Sequence, residues 1–137
     1  MAQEALHEQI YTDIYQRLLA VAPCLLAINS HGKSEVVGMM SLNLDILTRT
    51  PSKLIIALSH YYKHPSGDMI PDPDMMIEVF PDKNVAEALT YQDAYIITEV
   101  YGDGGCLIDN TERRSLNEFL HTWLGNLIEQ GHSIRLT

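Results

Sequence analysis

Two histidines and three aspartates fall within fifteen consecutive residues: His60, His64, Asp68, Asp72 and Asp74. Imidazole nitrogens and carboxylate oxygens are ordinary ligands of divalent cations. The spacing matches no standard motif, because Asp68 to Asp74 lacks the alternating ligands and terminal glutamate of a calcium-binding loop. Aspartate before proline is also common turn chemistry, and a proline-rich loop needs polar side chains to satisfy its backbone. His60, His64 and Asp68 are therefore weak metal candidates, and no metal or cofactor is implied. A second set is Glu78, Glu87 and Glu99, one on each of three expected strands. If those strands pair in sequence order, the carboxylates could lie side by side. Like charges so placed must be solvated, paired or bridged. Burial could raise one pKa and permit acid–base work, but no partner motif accompanies them.

Other constellations carry less. Ser59-His60 and His132-Ser133 form no recognisable nucleophile arrangement, and no Gly-x-Ser-x-Gly is present. Gly102-Asp103-Gly104-Gly105 lacks the Lys-Ser/Thr of a phosphate loop, and Asp103 would repel phosphate. Tyr61, Tyr62, Tyr91, Tyr95 and Tyr101 are interspersed with the acids. Tyrosine mixed with carboxylate suits a protein-contact surface, and it is equally good strand composition. No catalytic residue is assigned.

The acids themselves are unevenly placed. Residues 68–109 hold ten acids and one base, Lys83, and so account for the whole net charge of −9 of the 137-residue chain. Such a field repels nucleic acid and attracts cations or basic protein surfaces. Cys24 and Cys106 belong to no metal or disulfide spacing and read as two small buried hydrophobes. The polar, acidic N-terminus is unlike a secretory signal, and the apolar run near Val21–Ile28 is too short to span a bilayer. A soluble cytoplasmic protein is expected, with no direct nucleic-acid binding and no membrane association.

These residues must be positioned by a single domain spanning 1–137. Ile10, Ile14, Leu18 and Val21 recur at helical spacing, predicting a helix over 4–20 that ends before Pro23. Cys24 to Ile28 is either a short strand or a further helical turn, and Asn29 to Lys33 is a turn by composition. The period then changes to two. Leu42, Leu44 and Ile46 begin one strand, and residues 53–62 form a second, giving an antiparallel hairpin. Residues 64–74 contain Pro65, Pro71 and Pro73 and read as a polar loop, not a central strand. Strands follow at 75–80, 85–91 and 94–101. Leu116, Phe119, Leu120, Trp123, Leu124 and Leu127 lie on one face of a last helix. Asp109, Asn110 or Thr111 can cap its start and Gly131 its end. Gly125 weakens a helix by about 1 kcal/mol, for which close helix–sheet packing is one compensation. The expected fold is a two-layer α+β domain: a mainly antiparallel sheet of four to six strands covered by N- and C-terminal helices.

Two stretches resemble known groups. Met75–Gln92, with Ala86-Glu87, and Asp109–His132, with Asn117-Glu118-Phe119-Leu120-His121-Thr122-Trp123-Leu124 and Gly131, resemble the C-terminal part of the YqiB-like family of small uncharacterised bacterial proteins. Tyr61, Tyr62, Gly67, Asp68, Met69, Asp72, Pro73 and Met75 are similar to a Tyr-Tyr…Gly-Asp-Met…Asp-Pro-x-Met pattern of an uncharacterised domain family borne on plasmids, integrative elements and phages. The chain departs from that pattern between His64 and Ser66. The resemblance implies a bacterial or mobile-element origin and brings no activity. The expected function is non-enzymatic: binding a protein partner with a basic surface through Asp68, Asp72, Asp74, Glu78, Glu87, Glu99, Tyr61 and Tyr62, homo-oligomerisation being open. With a mobile-element or phage origin, the partner would be a host nucleic-acid-handling or defence protein. The competing expectation is a small metal-dependent hydrolase or small-ligand binder with its site at 60–74.

Overall fold

The alternation of apolar and polar residues carries the chain back and forth through one antiparallel sheet. The computed structural model describes residues 2–102, 107, 108 and 110–136. Helix α1 (Ala2–Val21) is followed by a 3-10 turn at Leu25–Ala27. Strands β1 (His31–Ser34), β2 (Leu42–Arg49), β3 (Leu54–Lys63), β4 (Met69–Phe80), β5 (Val85–Gln92) and β6 (Ile97–Glu99) come next. The short β7 (Tyr101–Gly102) and β8 (Leu107–Ile108) pair with each other. Helix α2 (Asn110–Gln130) and β9 (Arg135–Leu136) complete the chain. The main sheet has seven strands in the order β6-β5-β4-β3-β2-β1-β9, all neighbours antiparallel. This is the expected α+β arrangement, widened by β1 and β9.

Register places the core on one face. Leu44, Leu58 and Met75 are directly opposed, as are Ile56, Ile77 and Ala88, and Leu54, Val79 and Ala86. All nine are buried, with Ile14, Leu18 and Val21 of α1 and Leu116, Leu120, Trp123, Leu124 and Leu127 of α2. Each fully buried Leu or Ile contributes roughly 1.5–3 kcal/mol relative to an exposed one. The helices pack on each other and on β5. Gly131, at φ +90°, supplies the left-handed residue after α2, and its N–H bonds to the Ile128 carbonyl at 3.0 Å.

Several sequence expectations are corrected. His31–Ser34 is a strand rather than a turn, because Gly32 lets β9 close in: a Cβ there would fall 2.5 Å from Ile134 Cγ2. Residues 24–28 form a 3-10 turn at Leu25–Ala27 and no strand. Despite its prolines, residues 69–74 belong to β4. Residues 69–71 pair with β3 alone, and β5 joins only at Asp74, so Pro71 lies where one side of the strand is free, and Pro73 lies in the bulge between the two registers. The expected strand at 94–101 divides into β6 and β7, with Val100 turned into the core between them. Phe119 is 39% exposed, since its ring packs edge-on against Tyr91, which is itself only partly buried. Gly125 makes room for another helix, not for the sheet: a Cβ there would lie 2.4 Å from Arg17 Nη1, which donates to the His121 carbonyl. Cys24 is exposed, because it lies in the turn between Pro23 and Leu25. Cys106 and the cap candidate Asp109, with residues 103–105, lie outside the described residues.

Candidate functional site

The sheet face away from the core carries the polar half of each strand. Pairing sets these residues in rows that cross it. One row is His31, Asp45, Ala57, Met76, Thr90 and Glu99. The next is Lys33, Asn43, Ser59, Asp74, Gln92 and Ile97. A third, shorter row is Thr48, Ile55, Glu78 and Glu87. Most of the described acids of β2 to β6 thus share one surface with a strip of small and apolar residues.

A bulge shapes its β5 end. Between Met76/Thr90 and Ile77/Ala88 the register shifts, leaving Leu89 as the extra residue. The Met76 N–H donates to Thr90 Oγ1 at 3.2 Å, and the Val100 N–H to the Leu89 carbonyl at 3.0 Å. Here the surface dips into a concavity of about 620 Å³ lined by Lys53, Met76, Glu78, Leu89, Thr90, Glu99 and Tyr101.

The carboxylates of this face are not equivalent. Glu78 and Glu87 are directly opposite each other, but Glu99 does not join them: the register of β6 sets it opposite Thr90, in the row of Met76. The repulsion between Glu78 and Glu87 is relieved from two sides. Lys53 Nζ lies 2.9 Å from Glu78 Oε2. Arg113 donates through Nε to Glu87 Oε2 at 3.2 Å, its Nη2 forms an ion pair with the same oxygen at 3.2 Å, and the Tyr101 hydroxyl donates to both carboxylate oxygens at 2.9 and 3.0 Å. The Tyr11 ring lies 5.3 Å from the Arg113 guanidinium. Burial, then Glu87, raises the Tyr101 phenol well above its ordinary value. Asp74 accepts from the Tyr61 hydroxyl, and burial followed by that bond pushes the Tyr61 phenol up to about 12. Asp45 pairs with His31 Nδ1 at 2.8 Å. Glu99 and Asp72, by contrast, have no hydrogen-bonding or ionic partner among the described residues, and both are exposed. Sequence position ranks all these acids alike; only the neighbours supplied by β1, the β2–β3 turn, β3, β7 and α2 separate them.

The other candidates lie elsewhere. Asp68 and His64 share the β3–β4 hairpin tip through Ser66, whose hydroxyl is 3.0 Å from His64 Nδ1 and 3.2 Å from Asp68 Oδ2. Tyr62, opposite Ile70, is exposed on that ribbon. His60 is turned to the helix side, with Nδ1 2.8 Å from the Ser41 carbonyl and its ring edge-on to Trp123 at 5.6 Å. A cleft formed by His60, Asp68 and a strand carboxylate is therefore not assembled. Among the described residues no three His, Cys, Asp or Glu side chains gather as a metal-ligand set.

Two polar residues on the helix side escaped sequence reasoning. Asn117 is fully buried; its Oδ1 accepts from the Ala88 N–H at 2.8 Å and its Nδ2 donates to the Arg113 carbonyl at 2.7 Å. His132 is buried with Nδ1 2.9 Å from Ser34 Oγ and its ring centroid 5.8 Å from that of His60. Its Nε2 has no hydrogen-bond partner among the described residues. The signal for Asn117 was its place inside the apolar stripe between Leu116 and Leu120.

No helix among the described residues is long and apolar enough to cross a membrane. No curated protein and no solved structure matches the chain. A family model does match, over residues 11–133, which takes in both helix cores, the main sheet through β6 and the concavity. The chain belongs to the family described as Domain of unknown function (DUF6908).

Proposed function

We propose that this is a non-enzymatic binding protein that receives the basic surface of a protein partner on the open face of its sheet. The observation that carries this reading is the concavity at the β4–β6 end, where Glu99, with no partner among the described residues, stands beside Met76, Leu89 and Tyr101. A lysine or arginine suits such a place: its aliphatic stem lies on the apolar wall and its charge meets the carboxylate. Exposed Asp72 extends the negative field outside the pocket. Asp74, Glu78 and Glu87 support the face through their internal partners and contribute less to recognition than their charge implies.

The resemblance to plasmid- and phage-borne proteins makes a host nucleic-acid-handling or defence protein the preferred partner class. A basic channel that normally takes phosphates can take an array of carboxylates in their place. The volume of the concavity also suits a small cationic ligand, which is the second reading. Affinity capture from the native host, followed by binding kinetics of the recovered partner, tests the first. Asp72→Lys with Glu99→Lys should slow association at least tenfold at low salt, with little effect on folding because both sites are exposed. Wild-type affinity in that double variant would rule the acidic face out. Saturable binding of a polyamine such as spermidine, lost in Glu99→Lys and unaffected by the partner, would favour the second reading.

A further inference from the structure

The sheet ends at β6 on one side and at the two-residue β9 on the other, and β6 differs from the unpaired side of the β3–β4 ribbon. The β3–β4 ribbon also has an unpaired side at residues 69–73, but Pro71 and Pro73 remove two of its N–H donors there. β6 has no proline and no lysine. One side of Ile97-Thr98-Glu99 pairs with β5, and no described strand lies on the other. Its apolar residues face water: Ile97 is 70% exposed, and the neighbouring Tyr95 is 93% exposed. The turn that presents them is braced, because Asp93 Oδ1 accepts the N–H groups of Tyr95 at 2.8 Å and Ile96 at 3.0 Å. A braced, unpaired and apolar edge is a template for strand addition.

The charge around this edge selects the occupant. Ile97 and Glu99 project onto the open face, in the rows of Asp74 and Met76 respectively. Glu99 has no partner there among the described residues, and Asp93 lies at the tip. A second copy of this chain would bring the same acids against them. We propose that β6 accepts an extended basic segment of the protein partner as an added strand, with a basic side chain opposite Glu99 and an apolar one, two residues away, opposite Ile97. This rests on the acidic-face reading and adds its mode of attachment: backbone pairing gives affinity, and the Glu99 and Ile97 positions give register.

The test uses the full chain and a fluorescein-labelled peptide, Lys-Thr-Val-Thr-Lys-Thr-Val-Thr, read by anisotropy. Two further peptides carry N-methyl groups on alternate residues, one on the odd and one on the even positions. Strand addition uses one edge of the peptide, so one methylated form should bind at least tenfold more weakly while the other stays within about twofold of the parent. Glu99→Lys should weaken the parent peptide at least tenfold. Equal binding of all three peptides would overturn strand addition and leave the acidic face standing as a side-chain docking surface. No binding of the parent would also overturn it; the acidic face then stands or falls separately, on whether Asp72→Lys with Glu99→Lys loses the native partner. A concentration-dependent dimer abolished by Ile97→Lys would assign the edge to a second copy and likewise overturn the proposal.

Discussion

The amide of Asn117 ties the second helix to a backbone group of the sheet. Asn117 fills a bulge-adjacent N–H of β5 and a carbonyl of its own helix while fully buried. Asn117→Ala leaves the Ala88 N–H without its acceptor, so it should cost about 1–3 kcal/mol in urea denaturation, and Asn117→Leu should not recover it. A loss under about 0.5 kcal/mol would mean that the Ala88 N–H finds another acceptor. His132 has a consequence for pH. Burial first, and the neighbouring His60 second, lower its pKa from the ordinary histidine value. The groups it meets are Ser34 on β1 and His60 on β3, neither an acid. The unfolded chain therefore takes up a proton at a pH where the folded one resists it. Stability is full above the ordinary histidine pKa of about 6.5 and falls as the pH drops toward the lowered folded value. Denaturation midpoints measured from pH 8 to pH 5 should show that decline, and His132→Leu should flatten it.

At the scale of elements, α2 and β1 carry the clearest expectations. Trp123 is 7% exposed beneath the helix, so Trp123→Ala should cost about 3–5 kcal/mol. Phe119→Ala should cost less than half of that, because its ring is already partly in water. Equal effects would mean that α2 is rotated relative to the sheet. Gly32→Ala should destabilise by about 1–3 kcal/mol, as the new methyl meets Ile134 and, behind it, Ile28 and the Arg135 carbonyl. Amide exchange should then be fastest in β9, which reaches the sheet through β1 alone.

For the whole molecule the governing quantity is charge. Its net value is −9, and the described acids of residues 68–99 are spread over the open face, the β3–β4 tip and the β4–β5 and β5–β6 turns. Binding of the partner should weaken steeply with added salt, since exposed charges are screened within about 8 Å at physiological ionic strength. Direct binding to DNA or RNA should be negligible in 150 mM salt, and a fluorescence titration with submicromolar affinity would contradict this. Reversing Asp72, Asp74 and Glu78 together is a poorer probe than reversing Asp72 and Glu99. It would set a lysine beside Lys53 and remove the acceptor of Tyr61, mixing a folding defect with a binding one.

Periodicity alone determined the fold class, because a change of hydrophobic period from helical to two and back is a local property of the chain. The two helices, the β2–β3 hairpin, the α2 core stripe and the Gly131 stop were all legible for that reason. So was the facing of Glu78 and Glu87, given pairing in sequence order. Tertiary structure decided what depends on residues distant in sequence. Gly32 became a strand residue because Ile134 packs on it; Pro71 was tolerated in β4 because β5 arrives later. Asn117 and His132 were buried by partners on other elements, and His60 was drawn away from Asp68 toward Trp123. Above all, a carboxylate's role depends on whether a cation or hydroxyl from another element reaches it. Lys53, Arg113 and Tyr101 reach Glu78 and Glu87, and no described residue reaches Glu99. Charge is written along the chain, whereas its neutralisation exists only in three dimensions.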